Sequence, residues 1–165
     1  MATTALGGNP AHTVGELPAV SSTAPAWTLI GSDLQPFTSE DLLGSRVLLN
    51  IFPSVGTGVC AASVRRFNER AAGLENTRVV CVSADLPFAQ AGFCGAEGLE
   101  NVTMGSVYRS DFGDRYGVRL LDSKFEGLLA RSVVVVDTDG TVLHTQLVGE
   151  ISTEPDYDAA LAALT

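Results

Sequence analysis

Two apolar segments that must be buried, residues 47–52 and 79–83, set the architecture open to this chain. The first, VLLNIF, is apolar but for Asn50 and stops at Pro53; the second, VVCVS, is apolar up to Ser83. Runs of this kind, without polar alternation, mark strands buried on both faces of a sheet. Between them Cys60, Val64, Phe67 and Ala71 recur near the helical period, with Arg65, Arg66, Glu69 and Arg70 interleaved and Gly73 closing the segment. Strand, amphipathic helix and strand make a parallel βαβ unit, so helices must cover the sheet.

The remaining segments extend that core. Residues 3–6 and 11–14 flank Gly7-Gly8-Asn9-Pro10 and predict a hairpin at the domain edge, with residues 1–18 an extension of a single domain over 1–165. Residues 26–30 predict a short strand and residues 39–43 a single helical turn. Asp85 is placed to cap a helix over residues 87–96, with Pro87 at an early position. Residues 112–116 predict a short helix and residues 131–136 another buried strand. Asp137-Thr138-Asp139-Gly140 turns the chain into residues 141–148, which pair back antiparallel. Tyr157, Leu161 and Leu164 form one stripe of a last helix. A βαβ unit followed by a ββα unit predicts the thioredoxin-like α/β arrangement, a mixed central sheet flanked by helices with an N-terminal β-hairpin.

Charge and cysteine usage narrow the chemistry. With 165 residues and a net charge of −9, the chain can build one real core and is a poor match to nucleic acid or an anionic membrane surface. No apolar run approaches the ~20 residues of a membrane helix, and the first residues lack the basic-then-apolar order of a secretory signal, so a cytoplasmic location is expected. Cysteines 60, 81 and 94 are too few and too sparse for a disulfide framework, contain no CxxC, and are not joined by His12 or His144 in any ligand spacing. No metal and no cofactor are expected.

The stretch from Asn50 to Asn68 carries the chemistry. A buried strand ends at Pro53, a short loop turns, and Cys60 falls in the first turn of a helix. Free N–H groups and the dipole at a helix start favour an anion, so the sequence predicts a sulfur held mostly as thiolate. Ionisation alone gains little: going from a few per cent thiolate to full ionisation is roughly 30-fold, about 2 kcal/mol, and some of that is lost because nucleophilicity falls with pKa. Fast reaction needs groups that hold the reacting atoms in line and stabilise the leaving charge. Thr57, three residues before Cys60, can place a hydroxyl beside the sulfur, and an arginine is the other expected part. Cys81, in mid-strand, reads as a packing residue.

The spacing of Pro53, Thr57 and Cys60 resembles the active-site segment of peroxiredoxins, and more narrowly that of the bacterial thiol peroxidase subfamily, the atypical two-cysteine peroxiredoxins. The resemblance extends through NPAHTVGELP at residues 9–18, Leu86-Pro87-Phe88-Ala89-Gln90, Phe93-Cys94, SDFGDRYGV at residues 110–118 and Leu128-Leu129-Ala130-Arg131. It implies that Cys60 is the peroxidatic cysteine and Cys94 the resolving one, that Thr57 and Arg131 complete the peroxide site, and that Pro53 shields the sulfur. It further implies reduction of hydrogen peroxide and organic hydroperoxides, with organic ones preferred, through a Cys60 sulfenic acid and a Cys60–Cys94 disulfide. Thioredoxin or a similar dithiol would recycle the enzyme, a homodimer. Gly56 departs from the pattern, which usually has Asp there; the loop lacks any hydrogen bonding that Asp provides, while the Pro, Thr, Cys and Arg set is intact.

Overall fold

The computed structural model describes residues 1–165. A two-stranded hairpin of β1 (Thr3–Leu6) and β2 (Asn9–His12) precedes a seven-stranded sheet. Its strands are β3 (Thr28–Ile30), β4 (Pro36–Thr38), β5 (Arg46–Ile51), β6 (Thr77–Ser83), β7 (Thr103–Ser106), β8 (Ser132–Val136) and β9 (Val142–Leu147), in the order β4-β3-β7-β6-β5-β8-β9. Helices α1 (Gly58–Ala71), α2 (Pro87–Glu97), α3 (Phe112–Arg115) and α4 (Tyr157–Ala162) complete the chain, and a 3-10 turn covers Glu40–Leu42. No helix is long and apolar enough to cross a membrane.

The two apolar runs pair as expected: β5 and β6 are parallel neighbours joined by α1, and β8 lies antiparallel on the other side of β5. Alternation along each strand divides the core between the faces. Leu49, Ile51, Val80, Val82 and Val134 pack with Trp27, Phe112 and Tyr116. Leu48, Phe52, Val79, Cys81, Val133 and Val135 pack with Cys60, Val64 and Phe67 of α1. This is the thioredoxin-like mixed sheet that the order of elements predicts.

Three details differ from the sequence reading. First, α2 leads into a third parallel strand, β7, paired with β6 on one side and bridged antiparallel to β3 on the other. Its residues, Thr-Met-Gly-Ser, carry almost no apolar signal, because β3 comes too close to leave room for a side chain. A Cβ on Gly105 would lie 2.7 Å from Leu29 Cδ1. The short edge strand β4 is likewise outside the predicted elements. Second, the hairpin turn is only Gly7-Gly8, both at positive φ (61° and 81°), so Asn9 and Pro10 already belong to β2. A two-residue turn of this hand matches the strand twist, and proline is tolerated in an edge ribbon. Third, Asp85 does not cap α2. Leu86 occupies the N-cap position without a side-chain bond and Pro87 opens the helix, while the Asp85 carboxylate turns back toward the loop after β5.

Gly105→Ala is expected to lower stability by about 1–3 kcal/mol through overpacking against Leu29 and Phe37; urea denaturation checks it, and an unchanged midpoint would contradict the close approach of β3 and β7.

Candidate active site

The end of β5 delivers the chain to one end of the sheet, where buried Pro53 stops the strand and residues 54–57 turn it into α1. Thr57 is the N-cap of α1. Its Oγ1 accepts from the Cys60 amide at 3.3 Å and donates to the Ser54 carbonyl at 3.4 Å, and the Thr57 amide donates to that carbonyl at 3.2 Å. Cys60 therefore sits in the first turn of a 14-residue helix, as the spacing predicts. Its side chain is 0% exposed.

Arg131, immediately before β8, meets it on the same face of the sheet, from the strand beside β5. The guanidinium is 1% exposed, and its Nη2 donates to Cys60 Sγ at 3.2 Å. Nε donates to the carbonyl of Ile151 at 2.7 Å, which fixes the plane of the fork. Nη1 is buried with no partner. No carboxylate pairs with this cation, although ion pairs hold Arg65, Arg70, Arg115 and Arg119 elsewhere. A buried charge is costly unless compensated, so this guanidinium calls for an anion among the groups it touches. A cavity of about 120 Å³ lies against Arg131, with Leu6, Val59, Phe125 and Ile151 making its wall largely apolar.

The remaining cysteines differ in setting. Cys94 is half-buried on α2 and packs against the apolar cluster that contains Cys60; burial pushes its thiol up from the ordinary value. Cys81 is fully buried in β6, with its thiol pushed up to about 12, chiefly by desolvation. All three cysteines are free thiols. The fold thus brings the Arg131 guanidinium onto the Cys60 sulfur and the Thr57 hydroxyl onto the Cys60 amide, with Pro53 buried just after β5 and Cys94 on α2, packed against the same apolar cluster.

Several contributors lay outside the sequence reading. Ile151 aims the arginine through its carbonyl, and the N-terminal hairpin fixes Ile151 in turn. The Ile151 amide donates to the Ala5 carbonyl at 2.8 Å, and Thr4 Oγ1 donates to the Val148 carbonyl at 2.7 Å. Glu150 grips the hairpin turn, accepting from the amides of Gly7 at 3.0 Å and Gly8 at 2.9 Å. Only Gly7-Gly8, two small residues in a tight turn, offered a signal for that contact.

The sequence profile of the Redoxin family matches residues 19–161. The thiol peroxidase of Corynebacterium glutamicum is 58% identical over 164 residues, covering 99% of each chain. That of Mycobacterium tuberculosis is 59% identical over 164 residues, again with 99% of each chain covered. Among solved structures, a peroxiredoxin-like protein from Aquifex aeolicus superposes with a TM-score of 0.92 at 37% identity, covering 98% of this chain and 95% of its own. A thiol peroxidase from Chromobacterium violaceum gives 0.88 at 20% identity over 98% and 94% of the two chains, a likeness of fold.

Bonds from the Gly8 amide first, then from Ser152 and Gly7, hold the Glu150 carboxyl at about 2 instead of its ordinary 4.5. With the folded value depressed, its contribution is complete above the unfolded value and is lost as pH falls from 4.5 toward 2. The amide resonances of Gly7 and Gly8 are expected to titrate together with a midpoint well below 4.5 in an NMR pH series, and to lose that step in Glu150→Gln. A midpoint at the ordinary value would mean that the clip does not form.

Proposed function

The chain belongs to the Redoxin family, within its thiol peroxidases, and from that premise we propose that Cys60 is the sulfur that attacks the hydroperoxide, Cys94 the thiol that resolves it, and a thioredoxin-like dithiol the reductant that recycles both. The chain is a peroxidase; the proposal concerns which of its atoms do the work. The observation that carries it is the buried guanidinium of Arg131, with one nitrogen on Cys60 Sγ and another without a partner. That cation has no carboxylate partner, and it places a charge-assisted donor on the attacking sulfur at 3.2 Å. The free Nη1 is left to hold an oxygen of the incoming substrate.

In the reaction the Cys60 sulfur attacks one oxygen of ROOH. An S–O bond forms, the O–O bond breaks, and the departing RO⁻ takes a proton and leaves as ROH, with Cys60 oxidised to the sulfenic acid. Arg131 holds the sulfur and the peroxide oxygens together and stabilises the charge leaving on RO⁻. The Thr57 hydroxyl fixes the start of α1 beneath the sulfur, and Pro53 shields it. The sulfur of Cys94 then attacks the sulfenic sulfur, a disulfide forms and water leaves. Two electrons from an external dithiol restore both thiols. Cys94 rests half-buried in α2 against the apolar cluster, and its step proceeds by local unfolding of that helix, which carries it to Cys60. Cys81, held at about 12 within the sheet, stays a bystander.

The largely apolar cavity beside Arg131 supports organic hydroperoxides as preferred substrates. Leu86, Phe88 and Tyr108 are exposed near the ends of β6 and β7, the end of the sheet that carries Cys60, and support pairing with a second copy of the chain. Residues 1–165 are read as one catalytic domain working in the cytoplasm, with the hairpin segment 1–18 as a brace for Arg131.

One equivalent of hydroperoxide is expected to give a Cys60–Cys94 disulfide in the wild type and a dimedone-trappable Cys60 sulfenic acid in Cys94→Ser, read by mass spectrometry. A bond through Cys81 would overturn the resolving assignment. Arg131→Met is expected to lower kcat/KM for the peroxide by about 10²–10³, the usual loss on removing one donor from a developing anion; a change under tenfold would remove the guanidinium from the mechanism.

A further inference from the structure

A carboxylate outside the sulfur's immediate surroundings ties the loop under Cys60 to the helix that carries Cys94. Asp85 follows β6 and is held in place by its own backbone, since its carbonyl accepts from Ser106 Oγ at the end of β7. Its side chain gathers three donors. Ser54 Oγ donates to Oδ1 at 2.6 Å, while the Val55 amide at 2.9 Å and Ser83 Oγ at 2.6 Å donate to Oδ2. On the loop side the chain of bonds continues to the sulfur's own helix. Ser54 accepts from the Gly56 amide through Oγ and from Thr57 through its carbonyl, and Thr57 accepts from the Cys60 amide. On the other side, Ser83 Oγ accepts from Gln90 Nε2 at 3.0 Å, and the same nitrogen donates to the Gly105 carbonyl at 3.1 Å. Gln90 lies on α2 one turn before Cys94.

We propose that Asp85 is a positioning residue for both halves of the cycle: it holds the loop that presents Cys60 to peroxide and, through Ser83 and Gln90, keeps α2 closed until the sulfur has been oxidised. The coupling rests on the assignment of Cys94 above; the effect on peroxide attack does not. Three features favour this over simple bracing. The loop carries Gly56, with no side chain to hold itself, so its Val55 amide depends on Asp85 and its Gly56 amide on the Ser54 hydroxyl that Asp85 fixes. The attachment of α2 is incomplete, because Gln90 Oε1 is buried with no partner, which leaves this joint easier to open than a fully bonded one. And α2 lacks a side-chain cap, so Pro87 and the Gln90 bonds are what fasten its first turns.

Asp85→Asn keeps the shape and cannot accept from all three donors: with its carbonyl oxygen toward Val55 and Ser83, its amide nitrogen, a donor, faces Ser54 where an acceptor is needed. Ser83→Ala removes the link toward α2 and leaves the Ser54 and Val55 bonds in place. Quenched-flow mass spectrometry on the full chain separates Cys60 oxidation from disulfide formation after a pulse of hydroperoxide. Asp85→Asn is expected to slow oxidation by about 10-fold, the scale of a misplaced reacting group, and to speed disulfide formation by about 5-fold, the factor that one net hydrogen bond corresponds to. Ser83→Ala is expected to speed disulfide formation similarly while slowing oxidation far less. Val142→Ala, in the opposite core cluster, lowers stability without touching the network and is expected to move neither rate. Equal oxidation rates in Asp85→Asn and the wild type overturn the proposal. So does a Val142→Ala that opens α2 as readily as Ser83→Ala, because general loosening then explains the effect. If Asp85→Asn does not fold, Ser83→Ala against Val142→Ala decides the coupling. A wild type that forms no Cys60–Cys94 bond overturns the Cys94 assignment and the coupling together, whereas an intact bond whose formation is no faster in Asp85→Asn and Ser83→Ala overturns the coupling alone.

Discussion

Everything distinctive about this molecule is arranged around one guanidinium that has been taken out of water without a carboxylate to answer it. Removing one partner from a buried pair typically costs 3–5 kcal/mol, and Arg131 is held in that condition by its surroundings. One face of its fork is spent on a backbone carbonyl and one nitrogen on a sulfur, and the last is idle. Such a cation is tolerable only beside a group that can become negative. The arrangement places the charge-assisted bond of that cation on one atom, the sulfur of Cys60, which is also the atom proposed to attack the peroxide.

The parts legible in the sequence were those close together along the chain. Pro53, Thr57 and Cys60 lie within one loop and one helical turn, so strand-end, cap and helix-start rules were enough to place them. Arg131 is 71 residues from Cys60, and only family resemblance singled it out from the other arginines; no spacing rule reaches so far. Ile151 and Glu150 contribute through a carbonyl and through bonds to two glycine amides, neither of which leaves a compositional trace. Asp85 was visible but misread. Its position before Pro87 looks like a helix cap, yet its partners lie about 30 residues upstream, where Ser54 and Val55 supply donors that a lone helix end does not. Strand β7 was hidden by the very packing that defines it, since Gly105 leaves space for Leu29 instead of contributing an apolar side chain of its own.

The three thiols are sorted by place in the fold. Cys60 is in contact with a cation at a helix start. Cys94 is half-buried on a helix fastened by a glutamine with an unmet acceptor. Cys81 is sealed in mid-sheet beside Asn50, whose Nδ2 lies 3.7 Å from its sulfur. The same side-chain chemistry thus sits in three different environments, and the roles proposed for the three thiols follow those environments.

The bonds between the hairpin and residues 148–151 also carry a consequence for biosynthesis. Thr4 and Val148 are 144 residues apart, and the carbonyl that orients Arg131 belongs to the segment that pairs with the first strand. During vectorial synthesis the hairpin and Cys60 leave the ribosome long before their partners exist, and contacts of such separation form late. A nascent chain therefore carries the Cys60 sulfur without the Arg131 guanidinium held against it until these last segments have emerged and folded.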